Sequence, residues 1–409
     1  MPSLQGNNLP RIKQHNLESV KSLLYRSGPL SRTAIAEALD LTPATITNIV
    51  GGLIADGVVQ ELSSREMTHG VGRKPVLVDF CAGARLALGI SLGRERTRCC
   101  LTDLRGKPLL QREEAPMPDD YDAMRARLLA MLPGLLADCA ALGGQLVGIG
   151  LSTPGIVDAA TGVMRDGMAP RASWYGRPLA QAAADATGLV VCAENDVRAR
   201  AAATALFHPD VVRGCSIFAF CHVSWGIACP VILRSQLYSG ETSAAGEIGH
   251  MRMERSGPAL AGCGRPGSLE SYASVTAILE FCRRAMQTGR APVLRALCAA
   301  PAAPTIEEVL RAQAAGDPDV CAILGTALEY LGIALGNIVD FINPRLLIVS
   351  GPLFNYAPNL DALRRAVHEN AFGANNENVS IVHVDLGDYG SAAGAAAVCL
   401  EKYFVRIPE

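Results

Sequence analysis

The sequence has no excess of charge of one sign, no apolar run of membrane-spanning length and no apolar signal core near its first residues. Its 409 residues carry 37 Lys and Arg against 39 Asp and Glu, a formal net charge of −2, which gives no whole-chain signal for nucleic acid or membrane. No apolar run approaches the roughly 20 residues that cross a bilayer. Because residues 1–21 are polar, we expect a soluble, cytoplasmic protein.

Cysteine is present but does not form the pattern of a disulfide framework. The 13 cysteines are odd in number and lie mostly within apolar strings, as at Cys99-Cys100. Without a secretion signal, we expect them to be reduced and buried as small hydrophobic residues. The apolar content of 49% and the length predict a globular chain of two or three domains, at roughly 100–200 residues each.

Three helices are predicted near the N-terminus. Apolar residues recur at helical spacing over 16–26, 32–39 and 43–56. Ser31 is the expected N-cap of the second helix, and Thr42, followed by proline, is that of the third. A tight turn separates the second and third helices, as in a helix-turn-helix.

A basic hairpin is predicted after these helices. Strand-like runs at 58–62 and 75–80 flank a polar stretch that ends in Arg73 and Lys74. Three helices followed by a hairpin are typical of a winged helix-turn-helix, whose third helix enters the major groove of DNA. A small helical protein-interaction module is the alternative, because basic residues outnumber acidic ones only eight to seven up to Phe80.

The predicted DNA contacts lie at the two helix starts, on the early polar face of the third helix and at the wing tip. The helix starts offer backbone N–H groups to phosphate, and the wing cations would meet phosphate or the minor groove. The candidate DNA-binding residues are Ser31, Arg32, Thr42, Thr45, Thr47, Asn48, Arg73 and Lys74.

The rest of the chain predicts two α/β lobes, because one order of elements occurs twice. Three strands, a helix and a fourth strand cover 86–151, and the same order recurs over 215–350. In the second copy we predict one strand at 226–233 and a helix at 327–341. Such a repeat favours two lobes around a ligand cleft. The Pro- and Ala-rich segment 291–304 is predicted to be a surface loop.

Several polar residues could bind a polyol. Asn195 and Asp196 follow a predicted strand, where an amide and a carboxylate can bracket vicinal hydroxyls, although a purely structural turn gives the same signal. Glu247 and His250 lie between glycines that allow close backbone approach to a ligand. Glu270 opens a predicted helix, a position suited to reaching a ligand.

Together, these motifs resemble the ROK family (repressors, open reading frames and kinases) over nearly the whole chain. The motifs that carry the resemblance are STPGIVD, AENDVRARAA, YSGETSAAGEIGH, CGRPGSLESYAS, NPRLLIVSGPL and DYGSAAGAAA. The winged helix indicates the repressor branch. The resemblance implies an actin-like, hexokinase-type two-lobed ATPase fold. It assigns sugar contacts to Asn195, Asp196, Glu247, His250 and Glu270, and in family kinases the aspartate in the place of Asp196 is the general base.

The resemblance also suggests domain boundaries. We expect a winged helix-turn-helix domain at 1–82 with a hydrophobic core of its own. A first lobe at 83–193 would be completed by a C-terminal helix at 390–409, and a second lobe would span 194–389.

The phosphate-binding loops of family kinases are altered here. The Asp-x-Gly-Gly-Thr loop reads Ser91-Leu92-Gly93-Arg94-Glu95, which lacks the aspartate and adds a carboxylate. Trp225 stands in the second, glycine-rich loop, and Pro352 removes a backbone donor at the nucleotide strand end. We therefore expect no enzyme activity, no catalytic residues and no cofactor.

The family zinc site is incomplete in this sequence. Family members use a His followed by three cysteines, and the matching positions here are His250, Ala261, Cys263 and Ser268. Structural zinc usually takes four nitrogen and sulfur ligands, so we predict no metal site.

The resemblance implies a dimeric repressor of carbohydrate uptake or catabolism genes that is released from operator DNA by a sugar. Activation by the sugar is an open alternative. A ROK-type sugar kinase using ATP is the alternative from another class, and a regulator with an inactive sugar site that senses a partner protein is a third.

Overall fold

The computed structural model describes residues 9–62, 75–166, 172–260, 263–299 and 303–406. Its helices are α1 (Leu9–Ser27), α2 (Arg32–Leu39), α3 (Pro43–Ala55), α4 (Tyr121–Ala141), α5 (Gln181–Thr187), α6 (Asp196–Phe207), α7 (Glu270–Ala273), α8 (Val275–Gln287), α9 (Pro292–Leu297), α10 (Ile306–Ala314), α11 (Pro318–Ile342), α12 (Ala357–Asn370), α13 (Gly373–Asn376) and α14 (Gly390–Leu400). A turn of π-helix, Glu401–Val405, follows α14 and is called the C-terminal turn below.

The strands are β1 (Leu30–Ser31), β2 (Val59–Leu62), β3 (Leu77–Phe80), β4 (Arg85–Leu92), β5 (Thr97–Asp103), β6 (Pro108–Glu114), β7 (Gln145–Thr153), β8 (Ile156–Val157), β9 (Met164–Asp166), β10 (Val191–Asn195), β11 (Ile217–Val223), β12 (Ile227–Ala228), β13 (Val231–Leu233), β14 (Gln236–Leu237), β15 (Leu346–Ser350) and β16 (Ser380–His383).

The chain forms two compact units. Unit 1 comprises Met1–Arg213 and Asp388–Glu409, and unit 2 comprises Gly214–Gly387. The division falls after α6 and not at the predicted 193/194, because α6 packs on α14: a Cβ at Gly394 would lie 2.4 Å from the Ala199 carbonyl oxygen.

The first three helices and first three strands have the element order of a winged helix, and we call them the winged domain. Ser31 caps α2 by accepting the N–H of Ala34 at 3.1 Å, and Thr42 caps α3 by accepting that of Thr45 at 3.2 Å. The three strands form an antiparallel sheet of order β1-β3-β2. The wing tip, with Arg73 and Lys74, lies outside the described residues.

A five-stranded sheet of order β10-β7-β4-β5-β6 forms the rest of unit 1. β4, β5 and β6 are antiparallel, whereas β10 and β4 are both parallel to β7. α14 packs on this sheet at backbone distance. A Cβ at Gly89 would lie 1.8 Å from the Ala392 carbonyl oxygen, and one at Gly150 would lie 1.9 Å from that of Ala395.

The winged domain shares its hydrophobic core with the rest of unit 1, so the predicted separate core is wrong. Leu24, Tyr25 and Phe80 of the winged domain form one buried cluster with Leu400 and Phe404. The physical reason is that α1 carries apolar residues beyond those that α2 and α3 can cover, and the end of α14 buries them.

Unit 2 repeats the sheet order of unit 1 as β14-β13-β11-β15-β16. β11, β13 and β14 are antiparallel, and β11, β15 and β16 are parallel. The predicted single strand at 226–233 is two short strands, β12 and β13, because Pro230 between them has no N–H to donate to a neighbouring strand.

The predicted loop at 291–304 contains a helix, α9. Pro292 occupies its first turn, and the Asp317 carboxylate accepts the N–H groups of Val293 and Leu294 at 2.9 and 3.0 Å. One carboxylate oxygen, distant in the sequence, thus accepts two N–H groups and stabilises a helix that the Pro- and Ala-rich composition argues against. Residues 300–302 lie outside the described part.

Helix α11 begins nine residues before the predicted start of 327, at the Asp317 N-cap and Pro318. Among the described residues it is the one helix long and apolar enough to cross a membrane by length and composition, and half of its apolar window is buried. Leu324, Leu331 and Leu335 lie in the core of unit 2, which accounts for its apolar composition.

We predict that Gly150→Ala destabilises the protein by about 1–3 kcal/mol or more, because the new Cβ meets the backbone of α14 and not a movable side-chain end. Urea unfolding followed by circular dichroism measures the effect. Gly134→Ala is the matched control, since Gly134 lies in α4 with open space around it and gains helix propensity. An unchanged midpoint for Gly150→Ala would contradict the close packing of α14.

Candidate functional site

Asn195 and Asp196 are placed by a buried ion pair at the start of α6. The Glu194 carboxylate contacts Arg198 at 2.8 Å, and both side chains are at most 3% exposed. Glu194 also accepts the N–H of Asn195 at 2.9 Å. Because a buried pair is costly to break, these bonds fix the end of β10 and the first turn of α6.

Asn195 is the N-cap of α6, and both ends of its side-chain amide bond to the backbone. Its Oδ1 accepts the N–H groups of Val197 and Arg198 at 2.9 and 3.0 Å, and its Nδ2 donates to the Gly155 carbonyl at 3.0 Å. Asn195 therefore holds the 153–155 turn against α6. The second N–H of Nδ2 is the donor that a ligand hydroxyl would accept, because both lone pairs of the amide oxygen are in use.

Asp196 occupies the first turn of α6 with one carboxylate oxygen 3.0 Å from the Val197 N–H. Burial raises the pKa of Asp196, and the positive charges of Arg200 and Arg94 oppose that rise. Asp196 is thus a half-buried acceptor with two guanidinium groups nearby. Strand register places Ser91 beside Ser152 and Ser152 beside Glu194, so Arg94 and Asp196 follow the ends of β4 and β10, the two strands that flank β7.

Glu270 is the most constrained candidate in unit 2. It opens α7 as predicted, and its side chain is buried. Oε1 accepts the N–H of Ile227 at 2.9 Å. A Cβ at Gly226 or Gly249 would lie 2.7 or 2.6 Å from Oε1, so both glycines are needed to admit the carboxylate. Among the described residues, Oε2 is buried and has no hydrogen-bond partner.

A buried carboxylate oxygen without a partner is unfavourable by about 1–3 kcal/mol, more when charged, and is rare in folded proteins. A hydroxyl group of a ligand would supply the missing donor. Glu270 is therefore the candidate residue of unit 2 with an unmet hydrogen bond.

Glu247 and His250 begin and end a short 3-10 turn in the same unit. The N–H of His250 donates to the Glu247 carbonyl at 3.2 Å, which keeps the two residues one turn apart. The His250 side chain is exposed, and its ring lies against Gly264, where a Cβ would stand 2.9 Å from Nδ1. Gly249 joins this turn to the Glu270 carboxylate.

Three of the four positions that match the family zinc ligands, His250, Cys263 and Ser268, lie within the described residues. Among the described residues, no group of three or more His, Cys, Asp or Glu side chains is placed to hold a metal. The Ser268 hydroxyl donates to the Cys263 carbonyl at 3.1 Å, and Cys263 Sγ lies 3.5 Å from the Ser274 hydroxyl. Ser268, which stands where the family has a cysteine, is thus bonded to the backbone. Ala261 lies outside the described residues.

The loops that match kinase phosphate loops are closed by internal contacts. In unit 1, a Cβ at Gly93 would lie 2.5 Å from the Arg96 carbonyl oxygen, which marks a tight hairpin between β4 and β5. In unit 2, the Ser224 N–H donates to the Gly226 carbonyl at 2.9 Å, and the Trp225 carbonyl accepts from Thr276 at 2.9 Å. The Trp225 side chain is exposed at 42%.

The predicted DNA-binding residues that the structure describes divide into exposed and half-buried groups. Thr42, Thr47 and Asn48 are exposed on the first turns of α3, whereas Ser31 and Thr45 are half-buried. Arg32 forms an ion pair with Glu61 of β2 at 2.8 Å, so part of its charge is neutralised inside the domain.

Three groups that surround the candidate residues were not predicted from the sequence. They are the guanidinium groups of Arg94 and Arg200 beside Asp196, and the Ile227 N–H on Glu270. The position of Arg200 could have been predicted from the sequence, because Arg200 is four residues after Asp196 and residues four apart share a helix face. Arg94 and Ile227 required the strand pairing and loop path, which no local pattern reveals.

The two units share one sheet order, and the winged domain is the N-terminal part of unit 1. The class of protein is thus a pair of α/β units with an N-terminal winged domain. The family model described as ROK family matches residues 87–402. The chain belongs to the ROK family, which confirms the predicted resemblance.

Two relatives that match over nearly their full length are named as repressors. The chain is 24% identical over 393 residues to the xylose repressor of Bacillus spizizenii, covering 96% of both chains. It is 26% identical over 400 residues to the DNA-binding transcriptional repressor Mlc of Escherichia coli K12, covering 96% of this chain and 95% of Mlc.

Solved structures support the same fold. A ROK family transcriptional regulator described as a homologue of the E. coli Mlc protein superposes with a TM-score of 0.81 at 26% identity, over 95% of this chain and 96% of that one. A ROK family glucokinase from Streptomyces griseus superposes with a TM-score of 0.65 at 24% identity, over 76% of this chain and 98% of that one. The predicted actin-like, hexokinase-type fold is confirmed.

We predict less than one zinc per chain in the purified protein, because His250 and Cys263 are an incomplete set and Ser268 bonds to a carbonyl. Elemental analysis after dialysis without chelator measures the zinc. The double variant Ala261→Cys with Ser268→Cys restores the family ligand types and should bind more zinc than the parent. One tightly held zinc per parent chain would contradict the prediction.

Proposed function

We propose that this protein is a sugar-responsive, DNA-binding transcriptional regulator. It represses genes of carbohydrate uptake or catabolism and leaves its operator when a sugar binds. It acts in the cytoplasm as a homodimer or a dimer of dimers, since two winged domains would match two half-sites about one helical turn apart.

The observation that carries the sugar response is the buried Glu270 carboxylate oxygen without a partner. Gly226 and Gly249 make room for this group, and the Ile227 N–H orients it. A sugar hydroxyl is the simplest donor for a carboxylate held in this way. Asp196, Asn195, Glu247 and His250 are the further sugar contacts we propose, as the family resemblance assigns them.

The DNA side rests on the winged domain and on the relatives. Repressors match the chain over 96% of its length, which includes the winged domain, whereas the glucokinase matches 76%. We propose that the exposed start of α3 reads the major groove and that Ser31, Arg32, Thr42 and Thr45 support contacts to phosphate. Arg73 and Lys74 are proposed as wing contacts.

A sugar kinase using ATP is the less supported function. Phosphoryl transfer depends on positioned donors and metal around the phosphates. Ser91 replaces the loop aspartate, Glu95 adds repulsive charge, and the Ser224 N–H is already bonded to Gly226. We therefore propose that Asp196 is retained as a hydrogen-bond acceptor and not as a general base.

We predict that Asp196→Asn and Glu270→Gln each weaken sugar binding about tenfold or more. A hydrogen bond to a charged group contributes roughly 1.5–3 kcal/mol, and each 1.4 kcal/mol is a factor of ten in affinity. A thermal-shift screen of D-xylose, D-glucose and N-acetyl-D-glucosamine selects the probe, and calorimetry then measures each variant.

Glu329→Gln is the matched control for these variants, because Glu329 is exposed on α11 of unit 2 and lies outside the proposed site. It should bind the probe sugar like the parent. Parental sugar affinity and parental response of DNA binding in both site variants would contradict the proposed sugar site.

We predict that Arg73→Ala with Lys74→Ala weakens binding to all DNA sequences and lowers the salt slope by up to about 2, since each wing cation would meet a phosphate. Fluorescence anisotropy with duplex DNA across a salt titration measures both quantities. Lys107→Ala removes an exposed cation on unit 1 and should leave the slope unchanged. An unchanged slope in the wing variant would contradict the proposed contact between the wing and DNA.

A further inference from the structure

The C-terminal turn contacts the winged domain on one side. The Lys21 ammonium group of α1 donates to the Phe404 carbonyl at 2.8 Å and lies 4.5 Å from the centre of the Phe404 ring. The Phe404 ring also packs near Phe80 and Tyr25, with ring centres 5.9 and 6.5 Å away. Lys21 is 6% exposed, so this hydrogen bond is buried. One residue of the turn therefore touches both α1 and β3.

The same turn contacts the strand that leads to Asn195 and Asp196. The Tyr403 hydroxyl donates to the Val191 carbonyl of β10 at 3.3 Å. Burial raises the pKa of Glu401; Arg406, 3.0 Å away, opposes the rise, and the charge of Glu194 adds to it. Adjacent residues of one short turn thus face β10 and the winged domain.

A second connection runs from Asp196 to the start of α14. The charge of Arg200 acts on Asp196, and Arg200 Nε donates to the Ser391 hydroxyl at 2.8 Å. The Ser391 carbonyl in turn accepts from Ser152 of β7 at 3.0 Å. α14 is held against β4, β7 and α6 at backbone distance, so it can shift only together with them.

We propose that the C-terminal turn transmits sugar binding at Asn195–Asp196 to the winged domain, with Lys21 and Phe404 as the residues that determine the response. This inference rests on the proposed function and names the elements by which it is regulated. A ligand on Asp196 changes the balance of charge at Arg200 and the start of α6. α14 and β10 pass that change to Tyr403 and Phe404, and Lys21 and Tyr25 receive it.

The proposal predicts variants that bind sugar and DNA but no longer couple them. Lys21→Met keeps the apolar stem and removes the bond to the Phe404 carbonyl, whereas Tyr403→Phe removes only a hydroxyl on the β10 side. Allosteric coupling is typically about 5–150-fold in affinity. We expect each variant to reduce the sugar-induced change in DNA affinity to below about threefold, with both separate affinities within about threefold of the parent.

The experiment uses the full chain, a duplex selected by the protein from a random pool, and the sugar among D-xylose, D-glucose and N-acetyl-D-glucosamine that gives the largest thermal shift. DNA affinity is measured with and without saturating sugar, and sugar affinity by calorimetry. Lys13→Met is the matched control, because it makes the same chemical change at an exposed position of α1. It should keep the parental ratio of DNA affinities.

The outcomes separate the two proposals. If the parent responds to sugar and both variants keep the parental ratio, the transmission proposal is wrong and the proposed function stands. If the parent binds DNA but no sugar of the set changes that affinity, the proposed function and the transmission both fail. If Lys21→Met unfolds, Tyr403→Phe decides alone, because the loss of one weak hydrogen bond leaves the aromatic packing intact.

Discussion

The backbone contact between α14 and the sheet of unit 1 is the constraint on which the rest of that unit depends. Gly89 and Gly150 let β4 and β7 approach the carbonyl groups of Ala392 and Ala395, and Gly394 lets α14 approach α6. Carbonyl groups of a helix cannot move aside as a side-chain end can. β4, β7, α6 and α14 are therefore fixed relative to one another, and this fixes the position of the side chains at the start of α6.

In each unit, a polar group near the candidate residues is unsatisfied or buried, which a hydrophobic core would avoid. Glu270 keeps one oxygen without a partner, and the Glu194–Arg198 pair is almost completely withdrawn from solvent. Each arrangement is unfavourable for folding alone. Gly226 and Gly249 contribute no side chains around Glu270, so no neighbouring side chain offsets the cost of burying its unpaired oxygen. These features are expected where ligand binding, and not stability, has shaped the residues.

Much of the fold follows from local signals, whereas the site depends on contacts between distant parts of the chain. Ser31 and Thr42 cap their helices as their residue types predict, and β15 occupies the apolar run 346–350. The break at Pro230, which divides a predicted strand, could have been predicted from the sequence. α9 was not, because the Asp317 carboxylate that caps it lies 24 residues from Val293. The partners of Asp196 and Glu270 come from other strands and loops, which explains why residue types indicated the candidates but not their geometry.

The shared core at the base of the winged domain limits how the chain could have been assembled or could be rebuilt. A DNA-binding domain with an independent hydrophobic core can be exchanged between proteins as a unit. Here, Tyr25 and Phe80 complete their packing only with Leu400 and Phe404, at the opposite end of the sequence. A chimera that joins another reader to these α/β units must therefore import a matching C-terminal segment too. We therefore expect substitutions in this cluster near one end of the sequence to require compensating substitutions near the other.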